Sequence, residues 1–378
     1  MRLALALMLA CLGACKREPL LSPLDSIDLS LRWGGAFLAA HQRADGAIPS
    51  RTYAALEDGW SLTPLAALAL RMVPPDPELS ASYGRAVDFV ATLVAPGGAV
   101  REAPEVTYPL YAYAIGALVL GAPDNRRHDA IHGKLVEAVR AYQLVERNRW
   151  RPADASYGGW GYSPRVPLRP DHDPSAEAYA ANLSATLLAV GALALGGARP
   201  DDPALVAARR FVERCQNLDT DGGFFFSPGQ ADGNKAGATA DGRHRSYGSM
   251  TADGLRALLR LGARSTEPRV AAASAYFTRH FDATRNPGDF PPIAEVRRAS
   301  SYYYWAWSAA HVARHLSDVP RATALADELL RRQLPDGSWS NPSSEMREDD
   351  PIIATSFALA ALALARSVLA HEPRSHAY

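Results

Sequence analysis

Two kinds of apolar pattern alternate along the chain, and together they predict an all-helical protein. The first kind recurs every three to four residues. In Ala204–Cys215, for example, Leu205, Ala208 and Phe211 share one face while arginines occupy the other. This pattern is typical of a surface helix that buries a single stripe. The second kind is apolar all round, as in Ser184–Leu195. A helix of that kind must be buried on every side.

The two kinds alternate six times and divide the chain into six helix-loop-helix units. The predicted outer and inner helices are Leu31–His41 with Thr63–Met72, Ser82–Val94 with Leu110–Leu120, Ala130–Val145 with Glu177–Leu195, Ala204–Cys215 with Met250–Leu261, Val270–His280 with Ser301–Leu316, and Ala322–Leu334 with Ile353–Leu369. Six apolar helices inside six amphipathic ones predict an α6/α6 toroid, a double barrel of helical hairpins. The toroid spans residues 31–370 as a single domain, and residues 371–378 form a tail.

The connections between these helices differ in length. Those from an inner helix to the next outer helix are short and carry Gly or Pro, which are helix stop signals. Those from an outer to an inner helix are long, such as residues 218–249 and 335–351. A closed barrel of hairpins places all the long loops at one end, and long loops are often functional. This end, the mouth, is also where the inner helices begin, and helix N-termini favour anionic groups.

The N-terminus has the features of an export signal. Arg2 precedes an apolar run, Leu3–Leu12, which is too short to span a bilayer but typical of a signal peptide. The run ends in Leu12-Gly13-Ala14-Cys15, which resembles the lipobox of bacterial lipoproteins. The resemblance implies a signal peptide over residues 1–15, acylation of Cys15, and a tether over residues 16–30. The protein would then be anchored on the extracytoplasmic side of the cell envelope, at the outer membrane of a double-membrane cell. An ordinary secretory signal is the alternative.

Composition narrows the functional classes. The chain of 378 residues has a formal net charge of zero, which gives no electrostatic argument for binding nucleic acid. Cys11 would leave with the signal and Cys15 would carry lipid, so Cys215 would have no intrachain partner. Burial of the apolar residues, which make up 48% of the chain, must therefore hold the fold together.

A turn motif recurs where outer helices end. Its fullest form contains Gln333, Asp336, Gly337 and Trp339, and weaker forms contain Gln216 with Gly222 and Gly223, and Gln143 with Gly159 and Trp160. The full form resembles the Gln-x-x-Asp-Gly-x-Trp repeat of the squalene–hopene cyclase and prenyltransferase superfamily. The weaker forms resemble uncharacterised bacterial repeat proteins of the same superfamily, whose fold is an α6/α6 toroid. We predict a structural role: Gln bonds the turn backbone, Gly permits a positive φ, and the aromatic ring packs over Gln. Asp336 is predicted to face the start of the inner helix.

The same resemblance directs attention to the acids Glu348, Asp349 and Asp350. In squalene–hopene cyclases an Asp-x-Asp-Asp cluster at the start of an inner helix protonates an alkene, so these acids are candidate catalytic residues. Here the cluster reads Glu-Asp-Asp-Pro, and its first and last positions depart from that pattern. An acid of this kind must stay protonated, whereas a helix N-terminus stabilises the carboxylate. The alternative is helix capping, with Asp350 as the N-cap, Pro351 as the first helical residue, and Asp349 facing the mouth.

Candidate ligand contacts are Tyr302, Tyr303 and Trp305 in an aromatic cluster, together with Asp253 and His244. Cyclases of the superfamily line their cavity with aromatic rings that stabilise cations. Successive helical residues point about 100° apart, so only one or two rings of the cluster can face a cavity. We predict that Asp349 and the ring of Tyr302 or Trp305 border one cavity at the mouth.

No metal or cofactor is predicted. The zinc set of protein prenyltransferases needs a cysteine, and Cys215 ends an outer helix away from the cavity. Asp171-His172-Asp173 is better explained as a solvated loop, since three consecutive residues do not easily converge on a metal. Three functions stay open. The first is binding of an isoprenoid or other hydrophobic or extended ligand at the mouth. The second is terpenoid-cyclase-like catalysis, and the third is a cell-envelope scaffold.

Overall fold

The computed structural model describes residues 21–171 and 180–372. The outer helices are α1 (Pro23–Ala40), α3 (Pro77–Ala91), α5 (Asp129–Ala141), α7 (Pro203–Arg214), α9 (Pro268–His280) and α12 (Val319–Arg332). The inner helices are α2 (Thr63–Leu70), α4 (Pro109–Leu120), α6 (Leu183–Leu195), α8 (Gly248–Arg260), α11 (Tyr302–Leu316) and α13 (Pro351–Leu369). A short helix, α10 (Glu295–Ala299), precedes α11, and the two-residue strands β1 (Trp160–Gly161) and β2 (Ala181–Asn182) pair antiparallel.

The inner helices form a closed ring. Each packs against the next in chain order, from α2 through α4, α6, α8 and α11 to α13, and α13 packs against α2. Each outer helix packs against the inner helix that precedes it around the ring, as α3 does against α2 and α9 against α8. The α6/α6 toroid predicted from the sequence is therefore confirmed.

Burial of the inner helices follows from their composition. Nearly every residue of α4 and α6 is buried, with small residues such as Gly116 and Gly191 among them. The longest inner helix, α13, is apolar enough by length and composition to cross a membrane, but 78% of its most apolar window is buried inside the protein. Since α13 packs against α1, α2, α11 and α12, it is a core helix of the ring.

Several helix starts differ from the sequence prediction, and two of them differ by more than five residues. Helix α1 begins at Pro23, because Ser22 accepts a hydrogen bond from the amide of Asp25 and acts as the N-cap. Residues 23–30, which were predicted to be tether, are therefore helical. Helix α6 begins at Leu183 and not at Glu177, because Asn182 is extended and caps the amide of Ala185. Residues 1–20, with Cys15, and residues 172–179 lie outside the described part of the chain.

Glutamine side chains join four of the six repeats to the next repeat around the outer ring. In each case the Nε2 atom of Gln donates to the carbonyl of the positive-φ glycine in its own turn and to a carbonyl in the first half of the next outer helix. The second bonds are Gln42 to Ser82 at 2.9 Å, Gln143 to Ala204 at 2.8 Å, Gln216 to Arg269 at 2.9 Å and Gln333 to Ser30 at 3.0 Å. Because Ser30 lies in α1, the bond from Gln333 at the end of α12 closes the ring.

The aromatic residue of the motif fixes the turn to both helices of its unit. Trp339 is fully buried, and its indole Nε1 donates to the carbonyl of Leu329 in α12 at 2.8 Å. Its amide donates to the hydroxyl of Thr355 in α13 at 3.0 Å. Gly337 has φ +86°, and a Cβ there would lie 2.6 Å from the carbonyl oxygen of Trp33, so this turn requires glycine. The prediction for Asp336 is wrong: its carboxylate accepts from the amide and hydroxyl of Ser338 and so caps its own turn.

Candidate functional site

The long loops meet at one end of the toroid, as their lengths predict. The guanidinium of Arg347 lies 5.0 Å from the ring centre of Tyr53 and 5.2 Å from that of Tyr108, and these three residues come from three different loops. Tyr108 meets Tyr162 edge-on at 5.9 Å between ring centres, and Tyr162 stacks on Tyr111 of α4 at 5.7 Å. A continuous line of aromatic rings therefore leads from the mouth into the ring of inner helices.

Side chains at the centre of the toroid keep accessible surface where their neighbours on the same helices are buried. Away from their ends, α4, α11 and α13 are buried except at Tyr111, Tyr304, His311 and Phe357, which keep some accessible surface. The ring of Tyr304 lies 5.4 Å from that of Phe357. Burial raises the pKa of Tyr111, and Tyr304 lies close enough to Tyr111 to raise it further. We infer from these accessible surfaces that Tyr111, Tyr162, Tyr304, His311 and Phe357 border a space, which we call the central chamber.

Asp253 of α8 anchors a polar network beside the central chamber. It is fully buried and accepts from the hydroxyls of Tyr304 and Ser308, each at 2.6 Å, and from Ser184 at 3.3 Å. The Nη1 atom of Arg256 lies 3.4 Å from the Oδ1 atom of Asp253. Burial raises the pKa of Asp253, while Arg256 and the hydroxyl donors oppose the rise. Protonation would remove an acceptor from a carboxyl that has four donors, so the geometry favours the carboxylate.

Three basic side chains lie at the inner end of the central chamber. Arg256 is buried and places its guanidinium 4.9 Å from the ring centre of Trp307. Arg260, one turn further along α8, donates to the carbonyl of Leu187 at 3.1 Å. His311 lies seven residues after Tyr304 on the same face of α11, and its ring meets Trp307 edge-on at 5.6 Å. We call Arg256, Arg260 and His311 the basic cluster.

Glu348 caps a different helix from the one that follows it in the sequence. It is buried, and its two carboxylate oxygens accept the amides of Tyr303 at 2.9 Å and Tyr304 at 2.8 Å, so it caps α11 and not α13. Burial raises the pKa of Glu348 to about 7, against the opposing effect of these amides and of Lys235. Lys235 lies 5.1 Å from the ring centre of Phe226, and burial lowers its pKa to about 8.

A pH dependence of stability follows from Glu348. Its pKa is raised in the folded state, so the stabilisation is fully present below the unfolded pKa of 4.5 and is lost as pH rises through about 7. The shift corresponds to at most about 3 kcal/mol. The thermal unfolding temperature of the wild type should fall between pH 5 and pH 8, and Glu348→Gln should flatten that decline. The exposed neighbour Glu345→Gln is the control and should leave the slope as it is; an unchanged slope in Glu348→Gln would contradict the assignment.

The other two acids of the cluster have separate partners. Asp350 is fully buried and caps α13, since its Oδ1 accepts the amide of Ile352 at 2.8 Å and its Oδ2 accepts the hydroxyl of Ser50. The capping interpretation of Asp350 is confirmed, with Pro351 as the first helical residue. Asp349 accepts the phenol of Tyr53 at 2.6 Å and lies at the mouth. The three acids therefore do not converge on one reacting atom.

The ring that faces the central chamber is one that the sequence analysis did not select. Tyr302 donates to the carbonyl of Ala283 and Trp305 to that of Asp282, each at 2.9 Å, so both point away from the ring axis. Tyr303 donates to the carbonyl of Ser340 at 3.1 Å. The prediction that Tyr302 or Trp305 borders a cavity with Asp349 is wrong, because the helical period turns Tyr304 inward instead. A spacing of seven residues from Tyr304 to His311 was the signal that could have identified this face.

The remaining candidates lie in other places. His244 packs against Phe225 with 4.9 Å between ring centres, its Nδ1 has no partner among the described residues, and burial lowers its pKa. Burial raises the pKa of the Cys215 thiol at the end of α7. Within residues 21–171 and 180–372, no three potential metal-ligating side chains cluster. His172 and Asp173 lie outside the described residues.

Solved structures share this fold. The type II terpene cyclase MstE from Scytonema, as a variant in complex with its substrate geranylgeranyl dihydroxybenzoate, aligns with a TM-score of 0.55 and 13% identity, covering 92% of this chain and 99% of that one. A wild-type glycosidase aligns with a TM-score of 0.51 and 14% identity over 91% of this chain and 98% of its own. A UGL variant with dGlcA-Glc-Rha-Glc aligns with a TM-score of 0.59 and 14% identity over 89% and 95% of the two chains.

These alignments show that the protein shares the α/α toroid fold with a terpene cyclase and with glycosidases. No protein-family model and no curated protein matches the sequence. At such low identity the shared architecture carries no activity with it, because one fold hosts different chemistries.

Proposed function

We propose that this toroid binds a hydrophobic ligand of isoprenoid type in the central chamber, which it enters along the aromatic line from the mouth. The observation that carries the proposal is the set of partly accessible rings, Tyr111, Tyr304 and Phe357, on helices that are otherwise buried. A binding site is typically an apolar concavity with a few fixed polar groups, and here those groups are Asp253 and Arg256. The complex of MstE with geranylgeranyl dihydroxybenzoate is consistent with an elongated apolar ligand in a toroid of this shape.

The second candidate function is terpenoid-cyclase-like catalysis, which Asp253 would have to support as the acid. In its favour, Asp253 has a raised pKa and lies among aromatic rings. Against it, all four contacts of the carboxyl come from donors, which stabilise the ionised form. Glu348 is occupied by two helix amides. Ligand binding without alkene protonation is therefore the function that the geometry supports best.

Removal of an aromatic wall should weaken ligand binding. Phe357→Ser replaces a ring that borders the central chamber, and full burial of a phenylalanine side chain contributes about 1.5–3 kcal/mol. Titration of the purified protein with farnesol, followed by calorimetry, should show binding by wild type and at least about tenfold weaker binding by Phe357→Ser.

The matched control removes an exposed ring. The side chain of Trp33 is on the outside of α1, where 52% of it is accessible, so Trp33→Ser should bind farnesol as the wild type does. Two results together would overturn the proposal and favour a scaffold function. They are no binding of farnesol by wild type, and no isoprenoid in an organic extract of the purified protein. Cyclised products after incubation with an isoprenoid would favour the enzyme.

We also propose that the protein is a lipoprotein of the cell envelope, anchored through Cys15 on the extracytoplasmic side. The support is the sequence Leu12-Gly13-Ala14-Cys15 after an apolar run of signal-peptide length.

The anchor is tested by one substitution. Cys15→Ala should leave the protein unprocessed or freely soluble, because acylation requires the thiol and the acyl chains supply the membrane affinity. Fractionation and mass spectrometry of the N-terminal peptide measure both effects. Membrane association of the variant, together with a wild type that carries no fatty acid, would show that Cys15 is not lipidated.

A further inference from the structure

We infer that the ligand of the central chamber carries an anionic group, phosphate or carboxylate, which binds to the basic cluster of Arg256, Arg260 and His311. This inference rests on the proposed function, because it assigns the polar end of the same ligand. The apolar part would then extend from the basic cluster past Tyr304 and Tyr111 toward the mouth.

The first argument is the charge of Arg260. Its Nη1 donates to the carbonyl of Leu187, and among the described residues no carboxylate lies within salt-bridge distance of its guanidinium. The side chain is held between inner helices, since a Cβ on Gly191 of α6 would meet its Nη1 at 2.7 Å. The side chain of Arg260 is half-buried, a guanidinium carries five donors, and partial desolvation of a cation without a counter-charge is costly. Arg260 thus offers unused donors and an uncompensated charge.

The second argument is the excess of positive charge in the basic cluster as a whole. Asp253 is the carboxylate that contacts it, at 3.4 Å from Arg256, and that carboxylate is shared with the hydroxyls of Tyr304 and Ser308. His311 makes no hydrogen bond to any described residue and keeps some accessible surface. Burial lowers its pKa well below the usual value, and the charges of Arg256, Arg260 and Arg314 lower it further. A positive field of this kind, next to a chamber, is complementary to an anion.

The third argument concerns placement. Arg260 closes α8 and His311 lies in the second half of α11, so the basic cluster is at the inner end of the central chamber, opposite the mouth. The walls between the two are the rings of Tyr111, Tyr304 and Phe357. An apolar wall with cationic donors at one end selects an amphipathic molecule, because neither an uncharged hydrocarbon nor a small anion contacts both parts.

Three probes distinguish the parts of this ligand: farnesyl phosphate, farnesol and inorganic phosphate, each titrated into the purified protein by calorimetry. Wild type should bind farnesyl phosphate at least tenfold more tightly than farnesol. Arg260→Met should lose that preference and bind the two equally. Arg260→Lys, which keeps a cation, should retain part of it. Arg264→Met, an exposed arginine one turn beyond Arg260, is the matched control and should leave the preference intact.

The outcomes separate this inference from the proposed function. Equal binding of farnesol and farnesyl phosphate by wild type would overturn the anionic group and leave a purely apolar ligand. Inorganic phosphate that binds as tightly as farnesyl phosphate, and loses affinity in Arg260→Met, would overturn the amphipathic ligand in favour of a free anion. Because Arg260→Met removes an uncompensated, half-buried charge, the variant should also unfold at the same or a higher temperature than wild type without ligand. A large fall in that temperature would identify Arg260 as structural and overturn the inference.

Discussion

Trp339→Ala is expected to lower the free energy of unfolding by about 3–5 kcal/mol, the range for a fully buried large aromatic side chain. The indole of Trp339 is buried between α1, α12 and α13, where a Cβ added to Gly34 would meet its ring at 2.8 Å, and its Nε1 bonds the carbonyl of Leu329. The substitution leaves a cavity and an unpaired carbonyl at the place where the last repeat meets the first. Chemical denaturation measures the loss.

A neighbouring tryptophan provides the control for this prediction. Trp33 lies on α1 beside the same turn, but 52% of its side chain is accessible, so Trp33→Ala should cost much less than Trp339→Ala. Equal losses from the two substitutions would mean that the turn at Gly337 does not close the ring in the way described.

Asp253→Ala is the second substitution with a large expected effect, again about 3–5 kcal/mol of unfolding free energy. It leaves the buried guanidinium of Arg256 without a counter-charge and removes the acceptor of Tyr304 and Ser308. Removing one partner of a buried ion pair is costly, since the remaining charge stays desolvated. The midpoint of urea unfolding measures this effect.

The double variant Asp253→Leu with Arg256→Met is the control. Replacing both charges with apolar side chains of similar size removes the uncompensated charge, so stability should return close to that of wild type. If Asp253→Ala alone is harmless, the carboxyl is not the ionised anchor of the network, and its role as a protonated acid gains support.

The fold was largely predictable, because the spacing of apolar residues along a helix indicates which of its faces are buried. Ala204–Cys215 has an apolar stripe and is an outer helix, while the all-apolar run before Leu195 is an inner helix. Helix starts were less predictable where a capping residue decides them. Capping by Ser22 starts α1 several residues earlier than predicted, and capping by Asn182 starts α6 several residues later.

The site was predictable only in part. Asp253 was selected, and it is buried where its carboxylate accepts the hydroxyl of Tyr304. Tyr304 was passed over in favour of Tyr302 and Trp305, since an aromatic run does not reveal which ring faces inward. Arg256 and Arg260 carried a usable signal, because charged residues in an otherwise buried inner helix require a partner.

Glu348 shows why sequence proximity was misleading. It precedes Asp349 and Asp350, yet the loop returns it to the start of α11, where it caps Tyr303 and Tyr304. Contacts between repeats depend on the closed ring, so no local pattern indicates them.

The central claim is that an apolar ligand occupies the central chamber, and a crystal structure of the protein with farnesol tests it most directly. We predict density for the ligand chain between Tyr111, Tyr304 and Phe357, continuous toward Tyr162 and the mouth. Side chains closed over an empty centre in fully soaked crystals, or ligand density on the outer helices alone, would contradict the claim.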